Sequence, residues 1–303
     1  MKQNTLKQKH TFEGIGLHTG KTARMTLCPA PADTGIRFLR TDLGPDAFVP
    51  ARAENVSCTA RSTTISCGEA KVVTVEHLLS ALTGLGIDNA LIEITNEEVP
   101  ILDGSARFYA EAIAAGGIQP QDAERRPFTL DREIEVRDER SGAWIRIAPA
   151  DRPSVDLITD FNSRVLGVQR SHWDPGVDYA AQIAPCRTFV FFHDLLPLAR
   201  QGLIRGGDVE NAIVVAEHPV SREELDEVCG LLGKPRLEVT GAGYLNNLEL
   251  RFPDECGRHK LLDLLGDLRL AGWFNASVAA FKSGHTINTQ AAKALRAAIQ
   301  SSL

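Results

Sequence analysis

The segment Arg258-His-Lys-Leu-Leu-Asp-Leu-Leu-Gly-Asp267, RHKLLDLLGD, carries two patterns on one predicted helix. Leucines at 261, 262, 264, 265 and 268 form an apolar side that can be buried against a core. His259, Asp263 and Asp267 follow at intervals of four, so they form a second, polar line along the same helix. A solvated face with an ion pair is the simple explanation, because such pairs are common on helices. The alternative is a polar row that faces a functional site.

Composition limits the class of protein. The 303 residues allow two ordinary domains or one large one, and 43% hydrophobic with 24% charged residues is typical of a soluble globular protein. A net charge of -6 argues against general nucleic-acid binding, so we expect no nucleic-acid partner, although a local basic pocket for phosphate remains allowed.

The sequence also predicts a cellular setting. It has no run of about 18 apolar residues, so no transmembrane segment is expected. The N-terminus MKQNTLKQKHTFEG lacks the apolar stretch of a secretory signal. Six cysteines without a CxxC pair are expected to be reduced thiols, and we therefore expect a cytoplasmic protein.

The first third of the chain alternates strands and helices. Strands are predicted at 23–30, 34–42 and 89–102, from alternating or continuous apolar residues. A helix is predicted over 74–86, with Thr74 as its cap and Gly84 or Gly86 at its end. A second helix is predicted over 103–117, with Asp103 as its cap. The polar stretch 117–128 is predicted to be the domain linker.

The second part repeats this order. Strands are predicted at 129–138, 143–150, 154–161, 211–217 and 245–252, followed by the RHKLLDLLGD helix, a strand and a last helix. Both halves therefore run from strands to a helix with a polar stripe, then to a strand and a helix. We predict an α+β fold of two domains with a duplicated, layered architecture, in which the helices pack between the sheets. The predicted domains are 1–122 and 123–303, with a helical insertion near 218–240.

Two histidines and one carboxylate are a sufficient ligand set for a catalytic zinc. His259 and Asp263 lie one helical turn apart and can present both side chains to one ion. His77, at the start of the helix over 74–86, is the candidate third ligand from the other half. Iron(II) suits the same donors nearly as well as zinc.

Acid–base groups accompany these ligands. Glu76, next to His77, is a candidate general base that takes a proton from water. His285, in the glycine-containing loop KSGHTIN, is the candidate acid for a leaving amine, with Asp267 holding its imidazole. Lys260 could lie near the developing negative charge. Each has a structural alternative: Glu76 suits a helix N-terminus, Lys260 a solvated surface.

Several segments together resemble one known family, the UDP-3-O-acyl-N-acetylglucosamine deacetylases of lipid A biosynthesis. They are TVEHLLSALTGLGIDN, ILDGSA, CRTF, RHKLLDLLGD and KSGH, with GIGLHTGK near the start. The matches extend from about residue 5 to 295. HKxxDxxGD combined with SGH is the specific part of the resemblance, whereas LHTGK alone would be weak.

The resemblance implies a metal-dependent amide hydrolase that releases acetate from UDP-3-O-(hydroxyacyl)-N-acetylglucosamine. By motif, His77, His259 and Asp263 correspond to the zinc ligands and Glu76 to the general base. His285 corresponds to the general acid, with Asp267 as its partner. The resemblance adds Thr188, in CRTF, as a hydroxyl that helps to hold the oxyanion, and it places Lys260 beside the substrate. A monomer is expected.

The resemblance to the family is less specific for the residues that would contact the substrate. Asp160 and Phe161 resemble the segment on which uracil stacks, and His18 and Lys282 resemble diphosphate or sugar contacts. The stretch 189–214 resembles an insert that builds an acyl passage. The residues expected to form it are Phe189, Phe192, Leu195, Ile204, Gly207, Ala212 and Val214. For Phe161 and for the passage residues, an ordinary hydrophobic core is the structural alternative.

Residues 218–250 are longer than the common form of the family. They resemble the variant in which the deacetylase is fused to a 3-hydroxyacyl-carrier-protein dehydratase, so a fused or separate dehydratase is an expected partner. Two other functions remain open at this point. One is a zinc amidase for another sugar nucleotide. The other is a non-catalytic nucleotide-sugar binding protein, which the presence of the full catalytic set disfavours.

Overall fold

A computed structural model describes residues 1–233, 237–245 and 248–301. Its helices are α1 (Glu76–Gly84), α2 (Arg107–Gly116), α3 (Tyr179–Gln182), α4 (Phe192–Arg200), α5 (Arg222–Leu232), α6 (Glu255–Leu268) and α7 (His285–Ser301), with 3-10 turns at Ala53–Asn55 and Arg269–Ala271. Its strands are β1 (Lys2–Leu6), β2 (His10–Ile15), β3 (Thr22–Pro29), β4 (Ile36–Arg40), β5 (Phe48–Pro50), β6 (Val56–Cys58), β7 (Thr64–Cys67), β8 (Ala70–Val72), β9 (Ala90–Ile94), β10 (Ile118–Glu124), β11 (Phe128–Thr129), β12 (Ile134–Asp138), β13 (Ala143–Pro149), β14 (Ser154–Asp160), β15 (Val168–Trp173), β16 (Phe189–Phe191), β17 (Ile213–Val215) and β18 (Phe274–Phe281).

Two main sheets share one topology. The first has the order β2-β3-β9-β4-β5, and the second has the order β12-β13-β18-β14-β15, with β11 added beside β18. In each sheet the third and fourth strands along this order pair in parallel, and the other neighbours along the order pair antiparallel. The added strand β11 pairs with β18 in parallel. The helix pair α1 and α2 brackets β9 in the chain, just as α6 and α7 bracket β18. The predicted α+β duplication is therefore confirmed at the level of strand order and direction.

The layers meet through α1 and α6. These two helices make the most extensive contact between any two elements of the described residues. Leu78, Leu79 and Leu82 of α1 are fully buried, and so are Leu262 and Leu264 of α6. A large apolar cluster includes these leucines and side chains from both sheets, so one core extends across the two halves.

Gly266 sets how closely α6 approaches α1. A Cβ atom at this position would lie 2.0 Å from the carbonyl oxygen of Glu76, which is the first residue of α1. Nonbonded carbon and oxygen atoms do not approach this closely, so a side chain at Gly266 would push the two helices apart. The glycine of RHKLLDLLGD is therefore the residue that permits the contact between the halves.

Among the smaller elements, β16, α4 and β17 line the cavity described below. Strands β16 and β17 pair in parallel and frame α4. Helix α5 begins with a capping box, in which Ser221 and Glu224 satisfy each other's backbone N–H groups. It packs on α4 through a second apolar cluster that includes Leu196, Leu225 and Val228. This helix lies within the predicted insertion near 218–240, of which residues 234–236 are outside the described residues.

Several local predictions differ from the structure, including the strand predicted over 89–102, of which only Ala90–Ile94 forms a strand. Residues 118–124 form β10, antiparallel to β1, instead of an irregular linker. Thr74 does not cap α1, because its backbone has φ of 59° and its hydroxyl donates to Glu98. Asp103 does not cap α2, because its carboxylate binds Ser105 and Arg251. The predicted strand at 245–252 is absent from its described part, where residues 248–252 form no strand.

The domain boundary after residue 122 stays a prediction. Among the described residues, no helix is long and apolar enough to cross a lipid bilayer.

We expect Gly266→Ala to destabilise the protein, because its methyl group would overlap the Glu76 carbonyl. Overpacking of this kind costs roughly 1–3 kcal/mol. Urea denaturation of the variant should therefore show a lower free energy of unfolding.

Gly230→Ala is the matched control for this change. Gly230 also lies within a helix, but a Cβ atom there would meet no atom within 4 Å. Replacing a helical glycine with alanine should stabilise by up to about 1 kcal/mol. Equal effects of the two substitutions would contradict the contact at Gly266.

Candidate active site

Three ligand-type side chains converge where α1 meets α6. The ligand atoms of His77, His259 and Asp263 all lie within 4.8 Å of one another, and all three residues are buried. Asp263 Oδ1 lies 3.6 Å from His77 Nε2 and 3.4 Å from His259 Nε2. In the described part of the chain this is the one group of three or more such side chains with metal-ligand spacing. The arrangement can hold a metal ion.

The surroundings of the three residues fit a metal ion. His259 Nδ1 lies 3.0 Å from the carbonyl oxygen of Cys186, so this nitrogen is the donor and Nε2 keeps its lone pair. Asp263 Oδ1 is buried and has no hydrogen-bond partner, although buried carboxylate oxygens are nearly always satisfied. A cation between the two Nε2 atoms and this oxygen would satisfy it.

Burial keeps both candidate ligand histidines neutral. Desolvation, with the neighbouring His259, lowers the pKa of His77 to about 3. Desolvation also lowers the pKa of His259, against the opposing charge of Asp263. Neutral imidazole is the form that binds metal ions, so the pKa shifts agree with the geometry.

Glu76 is fixed by a backbone contact from outside its own helix. Its Oε2 accepts a hydrogen bond from the Thr63 backbone N–H at 3.0 Å, and its Oε1 lies 3.8 Å from His285 Nε2. Burial raises the pKa of Glu76 above the ordinary range, and the negative charges of Asp267 and Asp263 add to this effect. Such a carboxyl group is suited to exchange protons near neutral pH.

His285 is held by Asp267 in one tautomer. Its Nδ1 lies 3.0 Å from Asp267 Oδ2, so Nδ1 donates and Nε2 points towards Glu76 and Asp263. Asp267 is itself fixed by the Thr63 hydroxyl at 2.6 Å and by the Asn288 amide at 2.9 Å. Burial alone would lower the pKa of His285, but the nearby carboxylates outweigh it and raise the pKa. The imidazolium can therefore persist in this buried place.

Lys260 completes the charged group. Its Nζ lies 2.8 Å from Asp263 Oδ2, the oxygen on the other side of the carboxylate from the two candidate ligand nitrogens. Burial opposes the ionised form of Asp263, but the charges of Lys260 and of the protonated His285 hold the pKa of this carboxyl far below its usual value. Asp263 is thus anionic and available through Oδ1.

A cavity of about 690 Å³ opens beside this group, and His259, Lys260, Asp263 and His285 lie in its wall. The predicted substrate contacts that line it are His18, Phe161, Thr188, Phe189, Leu195, Ile204, Gly207, Ala212 and Val214. Most of the remaining wall is apolar and comes from α4 and the segment after it.

Phe192 is not in the wall of this cavity. Its ring lies with Leu196 and Arg200 on the face of α4 that is turned towards α5 and is buried in the cluster between these helices. The segment 189–214 contains apolar residues on both faces of α4, and spacing alone does not say which face the cavity uses. The assignment of Phe192 to the passage is therefore corrected.

Asp160 and Lys282 lie beside the cavity instead of within its wall. Lys282 Nζ is 3.4 Å from Asp160 Oδ2, and Lys282 lines a second cavity of about 400 Å³. His285 belongs to the walls of both cavities, so the second one adjoins the candidate active site. Arg137 and Arg140 also line it, together with Asp138 and Glu139.

Some residues of the site gave no sequence signal. Thr63 contacts both Glu76 and Asp267, yet it lies in a polar loop without a motif. Asn288 could not be singled out from the other polar residues of the amphipathic last helix. Leu17 and Arg61 line the cavity from loops in which no periodicity applies. Only the order of strands and helices, once folded, brings these residues to the site.

The family model for UDP-3-O-acyl N-acetylglycosamine deacetylase (LpxC) matches residues 3–227 and 236–297. The chain belongs to this family. The resemblance inferred from the short motifs is thereby confirmed. The match leaves out residues 228–235, at the end of α5 and within the predicted insertion.

Relatives of two kinds are similar to this member of the deacetylase family. The bifunctional enzyme LpxC/FabZ of Bacteroides thetaiotaomicron is 39% identical over 301 residues, which is 99% of this chain and 65% of that protein. The UDP-3-O-acyl-N-acetylglucosamine deacetylase of Pseudomonas entomophila is 41% identical over 298 residues, 96% of this chain and 88% of that protein. The chain thus spans about two thirds of the bifunctional relatives and most of the single-function ones.

We expect His259→Ala to lose most bound divalent metal, because it removes one of three protein ligands. Metal content after dialysis against trace zinc, measured by elemental analysis, should fall from about one ion per chain to well below one.

His172→Ala serves as the control for metal content. His172 also lies beside two carboxylates, Asp156 at 2.8 Å and Asp174 at 3.4 Å, but it is exposed on the sheet formed by β14 and β15 and is not part of the buried ligand group. It should keep the metal content of the unchanged protein. Retention of a full equivalent by His259→Ala would rule out this ligand set.

Proposed function

We propose that the chain is a zinc-dependent deacetylase acting on UDP-3-O-(3-hydroxyacyl)-N-acetylglucosamine. It would yield the free amine and acetate, the committed step of lipid A biosynthesis. The observation that carries the proposal is the convergence of His77, His259 and Asp263 beside Glu76 and the His285–Asp267 pair, at one end of an apolar cavity. Membership of the deacetylase family supports the same substrate.

Zinc held by His77, His259 and Asp263 would supply a Lewis acid that lowers the pKa of water and polarises the amide carbonyl. The protein contributes a fixed ligand geometry. Its second contribution is the apolar wall, which limits competing water around the reacting amide. The chemistry of the ligand set would also accept iron(II).

Glu76 is the proposed general base. Its Oε2 is occupied by the Thr63 N–H, so Oε1 is the atom left to take a proton from the attacking water. This atom lies 3.8 Å from His285 Nε2, which is itself 3.9 Å from Asp263 Oδ2. A positioned base of this kind contributes about 10²–10⁴-fold to the rate.

His285 is the proposed general acid. Asp267 accepts from its Nδ1, so the proton on Nε2 is the one that can pass to the leaving amine. Lys260, beside Asp263, offers a positive charge near the site where negative charge develops. The Thr188 hydroxyl, in the cavity wall, is proposed to donate a hydrogen bond to the same oxyanion.

The cavity walls suit the rest of the substrate. Phe161, which is 38% exposed, forms edge-to-face contacts with Phe189 and Phe191 and offers a ring face for the uracil base. Leu195, Ile204 and Val214 would line a passage for the acyl chain. The basic residues of the adjoining cavity, among them Lys282, would face the diphosphate.

We also propose a cytoplasmic setting, where the six cysteine thiols of the chain would stay reduced, and a monomeric protein. The similarity to bifunctional LpxC/FabZ enzymes supports a dehydratase, fused or separate, as the functional partner.

We expect Glu76→Gln to keep its zinc and to lose turnover by about 10²–10⁴-fold, because the amide cannot accept the proton. Acetate release from the UDP-sugar substrate, measured beside metal content in the same preparation, tests this. Near-normal kcat with bound zinc would mean that another group is the base.

Glu93→Gln is a control for the loss of one carboxylate. Glu93 is a residue of β9 and points away from the cavity, near Cys28. Its kcat and zinc content should match those of the unchanged protein.

Ala212→Phe should shift the preference towards shorter acyl chains, because a ring at this position fills part of the cavity. Each excluded methylene loses about 0.8 kcal/mol, or roughly fourfold in affinity. The ratio of kcat/KM for long and short acyl substrates should therefore fall, with the short substrate serving as internal control. An unchanged ratio would place the acyl chain elsewhere.

A further inference from the structure

We infer that Glu98 is a positioning residue, one that fixes a wall of the cavity with a single buried carboxylate. The inference rests on the proposed function for its activity readout. Glu98 lies after β9, is 1% exposed, and does not itself line the cavity. Its effect on substrate binding would be exerted through the loop formed by residues 16–20, here called the His18 loop.

The carboxylate of Glu98 holds the His18 loop through its backbone. The N–H of His18 lies 3.0 Å from Oε1 and 3.2 Å from Oε2, and the N–H of Thr19 lies 2.8 Å from Oε2. Two successive N–H groups that point at one anion form a backbone nest, which favours the charged carboxylate. Among the described residues no lysine or arginine forms a salt bridge with Glu98, so these donors offset its charge.

Glycine makes this close approach possible. A Cβ atom at Gly16 would lie 2.3 Å from Glu98 Oε2, so any side chain there would displace the carboxylate. At the other end of the loop Gly20 has φ of 65°, which favours glycine. The GIGLHTG sequence therefore wraps its backbone around Glu98.

The His18 loop is clamped on its other side by the segment that follows α4. The N–H of Gly206 donates to the carbonyl of Leu17 at 3.1 Å, and His18 Nδ1 lies 3.3 Å from the carbonyl of Leu203. Leu17, His18 and Ile204 all line the cavity. Moving the loop would therefore move the cavity wall on which the substrate is proposed to lie.

One more contact extends the role of Glu98 to α1. The Thr74 hydroxyl donates to Glu98 Oε1 at 3.0 Å, and Thr74 lies two residues before Glu76. Thr74 has φ of 59°, an uncommon conformation for a β-branched residue, which this hydrogen bond helps to hold. Glu76 also has an independent anchor at Thr63, so loss of Glu98 should affect substrate binding more than the chemical step.

Glu98→Gln is the first test of this role. The amide nitrogen can only donate, so one part of the nest would face a donor instead of an acceptor. We expect KM for the UDP-sugar substrate to rise by about tenfold or more, the range for losing a buried charged hydrogen bond, while kcat stays within about threefold. Zinc content should remain at one ion per chain.

Glu97→Gln is the matched control. Glu97 is the adjacent residue, but its carboxylate pairs with Lys21 and Lys71 at the surface and does not reach the His18 loop backbone. Its KM should stay within about twofold of the unchanged protein. An equal rise in KM for both variants would show that charge, not the nest, is responsible, and it would overturn the inference.

A double-mutant cycle separates positioning from a general loss of structure. If Glu98 acts through the His18 loop, combining Glu98→Gln with His18→Ala should raise KM little beyond the larger single effect. Additive effects would overturn the inference. Should Glu98→Gln fail to fold, Gly16→Ala keeps the charge but displaces the carboxylate, and the same rise in KM is expected.

Different results would contradict the proposed function and the role of Glu98. Absence of acetate release by the unchanged, zinc-loaded protein would contradict the proposed function. Normal activity of the unchanged protein, with normal KM in Glu98→Gln and Gly16→Ala, would contradict only the role of Glu98.

Discussion

The two halves of the molecule meet where α6 packs against α1 at Gly266. Because Gly266 has no side chain, α6 can lie against the backbone of Glu76. This contact brings the first turn of α1, with its glutamate and histidine, against the polar line of α6. Neither half alone carries a complete set of ligands and acid–base groups. The site exists because two copies of one topology pack through equivalent helices.

Electrostatics explains why such a group can be buried. In the described part of the chain, the three carboxyl groups of Glu76, Asp263 and Asp267 face two cationic side chains, Lys260 and His285. Unpaired buried charge is costly, and the raised pKa of Glu76 reflects this cost. A divalent cation at the two histidines and Asp263 would offset the excess negative charge. Burying these carboxyl groups costs folding free energy, but the arrangement favours a metal ion and acid–base chemistry.

The sequence predicted the parts of this arrangement that depend on local periodicity. The leucines and polar line of 258–267 predicted α6 and the spacing of its candidate ligands, and the repeated order of elements predicted the duplication. What it could not predict were contacts between distant backbone segments. Threonine is a residue type that often caps helices, but the hydroxyl of Thr74 donates to the buried carboxylate of Glu98 instead. The polar stretch 118–124 resembles a linker, but β1 offers it an unpaired edge.

Within the site, too, local sequence patterns predicted candidate residues but not the contacts between distant segments. His77 had to be paired with His259 and Asp263 by hypothesis, since no local pattern links residues so far apart in the chain. Thr63 orders two catalytic candidates from a loop that carries no motif. Phe192 and Leu195 belong to one apolar helix, yet only the second faces the cavity, because α5 covers the other side. Residue type and spacing thus identify candidate groups, and tertiary packing decides which of them meet.

Anomalous diffraction at the zinc edge, from crystals of the zinc-loaded protein, would show directly which residues hold the metal. We expect one strong peak per chain, bonded to Nε2 of His77, Nε2 of His259 and Oδ1 of Asp263. A peak bound by other side chains, or none at this position in protein that releases acetate, would contradict this ligand set.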